Sequence, residues 1–189
     1  MWHKHGDMPH RQGRKPRPPL DARRLDEMAL FYVGRFATSR AKLTDYLHRK
    51  IRERGWGGEG EPDIAGVADR LVRLGYVDDA AFALSKARTL TGRGYGAGRV
   101  RQSLRAAGIG EEDGEGARDL ATANAVTAAI KFAQRRGFGP YAAQAAEASG
   151  REKALSAMIR AGHGFALAKA ILALSPGVEV DEELLAEAR

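Results

Sequence analysis

Five arginines in the middle of the chain have the types and spacing needed to bind a nucleic-acid backbone, which requires cations on a surface that can follow a line of phosphates. Arg101 and Arg105 lie one turn apart on one flank of a predicted helix, and Arg99 falls on the opposite flank. Arg93 occupies a glycine-rich turn, where Tyr95 either stacks on a base or plugs the turn against the core. The alternative for each arginine is an ordinary solvated helix face. The predicted main contact set is Arg88, Arg93, Arg99, Arg101 and Arg105.

A second basic patch precedes this set, and we expect it to contribute less. Asp45 and Glu53 lie among its cations and neutralise part of their charge. Asp45 also has the i, i+4 spacing to pair with Arg49 on the outer side of a predicted helix. The patch consists of Arg40, Lys42, Arg49 and Arg52.

Side-chain sets typical of catalysis or metal binding do not occur in the sequence. It contains no cysteine, no HExxH motif, no Walker motif and no Ser/His/Asp arrangement. The run Gly94-x-Gly96-x-Gly98 resembles a phosphate-binding loop, but a helix precedes it where a strand is required, so only the helix N-terminus after Gly98 could hold one phosphate. Helix capping explains Asp78-Asp79 better than a metal or acid pair does. We therefore predict a protein that is not an enzyme and uses neither cofactor nor metal.

Composition and charge favour an acidic partner. The chain has 189 residues, a net charge of +7 and an isoelectric point near 9.9, so nucleic acid is the first expected partner. The positive charge is concentrated in residues 76–110, with a net +4, and in residues 125–178, with a net +5. Because no apolar run reaches the length of a membrane span and no N-terminal signal is recognisable, we expect a cytoplasmic protein that does not contact a membrane.

Helical periodicity runs through the chain between two charged tails. Residues 1–20 contain five Lys or Arg, one Asp and four Pro, which predicts a disordered basic tail. Apolar residues recur at helical spacing from 25 to 174, and no alternating strand pattern appears, so the predicted class is all-α. Residues 175–189 are predicted to form an acidic tail.

Helix boundaries are predicted most clearly by capping residues and glycines. Pro62 suits the first position of a helix, because its missing N–H costs nothing there. Asp78 is a good N-cap for the following helix, and Ser149 and Glu152 have the spacing of a capping box.

A repeat of about 53 residues links three of the helix ends. Gly55, Gly108 and Gly162 each end a predicted helix, with gaps of 53 and 54 residues. An apolar residue stands four positions before each glycine, which argues against coincidence although glycine commonly follows a helix. We predict tandem units that stack into an elongated, curved helical array. The three predicted three-helix units are residues 25–75, 78–123 and 124–174.

The residues that define these units resemble the RecX family of RecA regulators. The most specific part is the stretch 74–83, Leu-Gly-Tyr-Val-Asp-Asp-Ala-Ala-Phe-Ala, followed by Arg88, by Gly94-Tyr-Gly96 and by Gly108-Ile109. The resemblance covers residues 25–174, nearly all of the predicted folded part. In the third unit His163 stands where the family pattern leads us to expect an aromatic residue.

The resemblance implies a regulator that binds in the groove of the RecA–single-stranded-DNA filament. It implies inhibition of the ATPase, strand-exchange and co-protease activities of RecA, and so a role in homologous recombination, DNA repair and the SOS response. We expect a monomer, with double-stranded DNA left open as a second ligand. The alternative is a helical DNA-binding or architectural protein that acts without RecA.

Overall fold

The computed structural model describes residues 18–187, and apart from a 3₁₀ turn at Gly139–Tyr141 the regular structure in that range is α-helical, which confirms the all-α class. No helix in this range combines the length and hydrophobicity needed to cross a bilayer. The helices are α1 (Ala22–Arg35), α2 (Arg40–Arg54), α3 (Ile64–Arg73), α4 (Asp79–Gly92), α5 (Ala97–Ala106), α6 (Glu111–Ala123), α7 (Ala125–Arg136), α8 (Ala148–Arg160), α9 (Phe165–Ala173) and α10 (Glu182–Glu187).

Three separate hydrophobic cores follow one another along the chain, so the helices form a tandem array. We call α1–α3 the first helix group, α4–α6 the second and α7–α10 the third. The first core is built around Leu25, Leu43, Leu47, Val67 and Leu71. The second is rich in alanine and contains Ala83, Ala87, Val100, Leu104 and Ala117. The third contains Val126, Phe132, Met158, Leu167 and Ile171.

Capping side chains start several of these helices, as the sequence predicts for Asp78, whose carboxylate accepts the Ala81 N–H at 2.8 Å. Two other predicted starts are wrong. Asp63 is the N-cap of α3, because its carboxylate accepts the Gly66 N–H, and Pro62 therefore precedes the helix. The third-group helix α8 begins at Ala148 after Glu147, so Ser149 lies inside its first turn and forms no cap.

The first residues that the structure describes pack against the first helix group. Leu20 is fully buried, its N–H donates to the Gly55 carbonyl at 2.9 Å, and its own carbonyl accepts the Gly57 N–H at 2.8 Å. The Arg54 guanidinium donates to the Pro18 carbonyl. Residues 18–20 are therefore part of the fold and not of the predicted basic tail, the remainder of which lies outside the described residues.

The acidic segment at the other end is also packed in part. Leu185 is buried in the third core, and α10 lies against α7 and α9. The Asp181 side chain accepts the N–H groups of Glu183 and Leu184 and so stabilises the start of this helix. The predicted acidic tail of residues 175–189 thus contains a short helix held by one leucine.

Candidate nucleic-acid interface

The glycine-rich turn between α4 and α5 is the seam that joins the second and third helix groups. The Gly96 N–H donates to the Ala161 carbonyl at 3.0 Å, and the Gly98 N–H donates to the Gly162 carbonyl at 2.9 Å. A Cβ on Gly96 would lie only 2.6 Å from the His163 backbone nitrogen and would overlap the Gly162 carbonyl. Close approach of two backbones therefore requires these glycines. The N–H groups of Gly98 and Arg99 are already bonded, so the predicted phosphate site at this helix start is wrong.

His163 is buried in the same seam and is only 6% exposed. Its Nε2 lies 3.2 Å from the Gly94 carbonyl oxygen, and its ring packs against Phe132 with 5.3 Å between the ring centroids. Burial lowers the pKa of His163 to about 4, against the opposing effect of the Gly94 bond, and the positive charge of Arg135 lowers it further. His163 thus packs as the expected aromatic residue would, while its Nδ1 has no partner among residues 18–187.

Two arginines from different helix groups lie against Tyr95 at this seam. The guanidinium carbons of Arg99 on α5 and Arg135 on α7 are each 6.0 Å from the centre of the Tyr95 ring. Arg135 also donates a hydrogen bond to the Arg93 carbonyl. Tyr95 is half-buried against the third core, so it plugs the turn. We call Arg93, Tyr95, Arg99 and Arg135 the seam cluster.

Arg135 is the site residue that the sequence reasoning missed. The signal was the pair Arg135-Arg136 in the last turn of α7, inside the region whose net charge is +5. Its position over the Tyr95 ring, which Arg99 also contacts, depends on how α7 packs against α4 and the α4–α5 turn, and the helical pattern carries no information about that packing.

The remaining arginines of the predicted main set do not join the seam cluster. Arg101 lines a groove of about 530 Å³ together with Thr122, Ile159 and Leu167, between the second and third helix groups. Arg105 lies one turn further along α5, and Arg88 lies on α4; both residues are exposed. The two flanks of α5 thus present cations to different surroundings.

The charges of the main set are not neutralised within the described part of the chain. No ion pair among residues 18–187 involves a member of the main set or Arg135; the pairs found are those of Arg23, Arg24, Arg40, Arg49, Lys50, Arg70 and Arg118. Arg99 donates one hydrogen bond to the Gln102 side chain at 2.8 Å, and Arg135 donates one to the Arg93 carbonyl. A guanidinium has five N–H donors, so these arginines, which have no carboxylate partner, keep most of their donors available for an anionic ligand.

The second basic patch is partly neutralised, by Glu53 as expected and by Asp69, which the sequence did not indicate. Arg40 pairs with Asp69 at 2.7 Å, and Arg49 lies 3.7 Å from Glu53 rather than beside Asp45. Lys42 lies over the Phe82 ring at 5.4 Å. Arg52, the fourth member, is exposed on α2.

A second seam joins the first helix group to the second in the same way. The Ser39 hydroxyl donates to the Ala107 carbonyl at 2.6 Å, and the Arg40 N–H donates to the Asp79 carboxylate at 2.8 Å. Burial raises the pKa of Asp79. At this seam the N-terminus of α2 therefore docks beside the C-terminus of α5. At the other seam the N-terminus of α5 docks beside the C-terminus of α8 in the same way. The cations of the second patch, Arg40 and Lys42, lie at this joint as Arg99 lies at the other.

Comparison with known proteins relates most of the chain to RecX proteins. The family description "RecX, second three-helix domain" matches residues 78–117. The regulatory protein RecX of Myxococcus xanthus is 29% identical over 162 residues, which cover 80% of this chain and 86% of that protein. The regulatory protein RecX of Agrobacterium fabrum is 27% identical over 164 residues, 85% of this chain and 86% of its own length.

Solved structures agree with the fold. The crystal structure of RecX from Lactobacillus salivarius superposes with a TM-score of 0.56 over 79% of this chain and 93% of its own. Its sequence identity of 20% makes this a likeness of fold. The helical array predicted from the sequence is thereby confirmed.

Proposed function

Since the chain belongs to the RecX family, we propose that it is a non-enzymatic regulator that binds the RecA–single-stranded-DNA filament. It mainly inhibits the ATPase, strand-exchange and co-protease activities of RecA, and in this way modulates homologous recombination, DNA repair and the SOS response. It acts as a monomer in the cytoplasm. The relatives are themselves named regulatory proteins, which supports a regulatory role in general terms.

The observation that carries the proposal is the row of unpaired arginines on the second helix group and its seam. None of these arginines has a carboxylate partner among residues 18–187, although the chain carries 24 Asp and Glu. Phosphates supply the missing anions, and each one that is neutralised releases a counterion and adds affinity. The row consists of Arg88, Arg93, Arg99, Arg101, Arg105 and Arg135.

The distribution of these cations favours an extended ligand over a small one. They lie on α4, in the turn between α4 and α5, on both flanks of α5 and on α7, while the second patch lies on α2 across the other seam. A tandem array presents such residues along its length rather than around one pocket. A filament offers phosphates and protein along a repeating track, which fits this arrangement.

The test follows ATP hydrolysis by RecA on single-stranded DNA while this protein is added in substoichiometric amounts. We expect hydrolysis to be inhibited, and we expect the Arg99→Glu, Arg135→Glu variant to require a concentration about tenfold higher, because it reverses two of the three arginine charges of the seam cluster. Arg23→Glu is the control, since Arg23 is an exposed α1 arginine that already pairs with Glu27. Unchanged hydrolysis together with tight DNA binding would favour the RecA-independent DNA-binding alternative.

A further inference from the structure

Three aromatic side chains are in contact across the junction of α1 and α2, in the first helix group. The rings of Tyr32 and Tyr46 are nearly parallel, with 4.1 Å between their centroids and an angle of 13° between their planes. The centroid of the Phe36 ring lies 5.4 Å from that of Tyr32. We call Phe36, Tyr32 and Tyr46 the aromatic row. Both distances are those of rings in contact, so the row is continuous from α1 to α2.

The fold holds the members of this row in place. Tyr32 and Phe36 are four residues apart, and Phe36 is the C-cap of α1, where its N–H donates to the Tyr32 carbonyl at 3.0 Å. Tyr46 reaches them from α2, and both tyrosines pack against the first core. The row is therefore ordered before any ligand binds, which lowers the entropic cost of using it as a binding surface.

The end of the row at Phe36 is open to solvent. Phe36 is 52% exposed, whereas Tyr32 and Tyr46 are half-buried. No cation within residues 18–187 lies over the Phe36 ring. A ring that one neighbour supports and that is more than half exposed offers an aromatic surface on which a nucleobase can stack.

Cations lie at the other end of the row. The Arg49 guanidinium carbon is 5.5 Å and the Lys50 Nζ is 5.8 Å from the centre of the Tyr46 ring. Lys50 pairs with Glu53, and Arg49, whose side chain is 56% exposed, lies 3.7 Å from the same carboxylate, so two cations share one acid. The helices α1 and α2 together carry nine Lys or Arg and four Asp or Glu. This excess of positive charge favours an anionic ligand for the row.

We propose that the aromatic row stacks on unpaired bases of single-stranded DNA, with Phe36 as the contacting ring and Arg49 beside the phosphates of the same strand. Aromatic rings next to cations are the combination by which proteins bind single strands of any sequence. In a duplex the bases are stacked on one another, so the row should distinguish single-stranded from double-stranded DNA. The inference rests on the proposed function for its ligand, and it adds contacts to bases that the arginines do not make.

The experiment compares two single strands that differ only in their bases. A labelled strand and the same strand with abasic sites carry equal numbers of phosphates, and their binding to the full chain without RecA is followed by fluorescence anisotropy. We expect the wild type to bind the abasic strand about tenfold more weakly, because stacking is lost. Phe36→Ala should bind both strands with about this lower affinity.

Two variants and two further measurements separate stacking from a change in structure. Phe165→Ala is the matched control, because Phe165 on α9 is 60% exposed and contacts no other aromatic ring within residues 18–187. This variant and Phe36→Trp, which keeps an aromatic face, should both retain the tenfold difference. In Phe36→Ala the affinity for a duplex of the same length and the slope of log affinity against log salt should be those of the wild type, since phenylalanine contacts no phosphate.

The outcomes separate this inference from the proposed function. Equal binding of the two strands by the wild type, or no binding of free single-stranded DNA, would overturn the inference, and so would an equal loss of duplex affinity in Phe36→Ala. Weaker inhibition of RecA by Phe36→Ala at unchanged DNA affinities would assign the row to a protein contact and also overturn it. A wild-type chain that distinguishes the two strands but leaves RecA ATP hydrolysis unchanged would refute the proposed function alone.

Discussion

Protonation of His163 opposes folding, because a charged imidazole would be buried beside Arg135 at the seam between the second and third helix groups. The pKa of this side chain falls from an ordinary value of 6.5 to about 4 in the folded protein. The unfolded chain therefore binds more protons between these two values, and stability decreases as the pH falls through that window. Above pH 6.5 the stability that depends on a neutral, buried His163 is fully present.

We expect the free energy of unfolding to fall by about 2 kcal/mol between pH 7.5 and pH 5 through this residue alone. His163→Phe should remove that part of the pH dependence, since phenylalanine packs on Phe132 and cannot be protonated. Urea unfolding at the two pH values measures the difference. His48→Gln is the control, because His48 is exposed on α2. An equal acid-induced loss in the wild type and in His163→Phe would show that His163 does not cause it.

At the scale of single residues, the sequence predicts contacts between near neighbours and misses contacts between distant ones. The cap formed by Asp78 acts on an N–H three residues away, so the local sequence is enough to predict it. Arg40 finds its carboxylate on Asp69, 29 residues away, and only the packing of α2 on α3 brings the two together. Asp45 and Glu53 each lie four residues from Arg49, so helical spacing alone does not distinguish the predicted partner, Asp45, from the observed partner, Glu53.

The helix α5 presents different cations on its two flanks, so the contribution of one flank to DNA binding can be tested separately. Arg99 faces Tyr95 at the seam, whereas Arg101 lines the groove beside Ile159. If Arg101 and Arg105 contact phosphates, their replacement by glutamate must reduce the number of counterions released on binding. Both residues are exposed, so helicity should not change.

We expect Arg101→Glu and Arg105→Glu together to lower the slope of log affinity against log salt by about 1.4 for single-stranded DNA, since each phosphate contact contributes about 0.7. Titration of labelled DNA at several salt concentrations gives the slope. Arg101→Glu alone should lower it by about 0.7, and Arg23→Glu, with the same change in net charge, should leave it unaltered. An unchanged slope in the double variant would remove α5 from the contact set.

The helices themselves could be predicted from apolar periodicity, but the roles of two short segments could not. Leu20 stands alone between Pro19 and Asp21, and Leu185 stands beside the exposed Leu184 among acidic residues, so no pattern distinguishes either from a solvated residue, yet each is buried in a core. The glycine-rich run Gly94–Gly98 is visible in the sequence as unusual, but the reason for Gly96 and Gly98, the close approach of Gly162, lies more than 60 residues away. The apolar pattern of the sequence identifies the helices, but only the folded structure shows which helices and turns pack against one another.

At the scale of the whole molecule, one docking geometry explains the repeat of about 53 residues. The carbonyls of Ala107 and Ala161 occupy equivalent positions before the repeat glycines Gly108 and Gly162. The Ala107 carbonyl accepts a hydrogen bond from the hydroxyl of Ser39, the N-cap of α2. The Ala161 carbonyl accepts one from the N–H of Gly96, the N-cap of α5. The repeated glycines could be found in the sequence because this contact is made twice.

An array joined in this way should lose its third helix group first when the seam between the second and third helix groups is weakened. Gly96→Ala places a Cβ against the backbone of Gly162 and His163, where no flexible side chain can move aside. The seam must then separate, which costs its two backbone hydrogen bonds and the packing around Tyr95, about 2–4 kcal/mol. Because each group has its own core, this cost should fall on the third group and spare the first.

Hydrogen exchange followed by mass spectrometry measures this difference helix by helix. In Gly96→Ala we expect the amides of α7 and α9 to exchange at least about tenfold faster, while those of α2 keep their protection, because α2 belongs to the first core and makes its own seam through Ser39 and Ala107. Gly34→Ala is the matched control, since a Cβ on Gly34 meets nothing within 4 Å and the substitution should leave exchange unchanged or slower. A loss of protection spread evenly over all the helices would instead indicate one cooperative bundle.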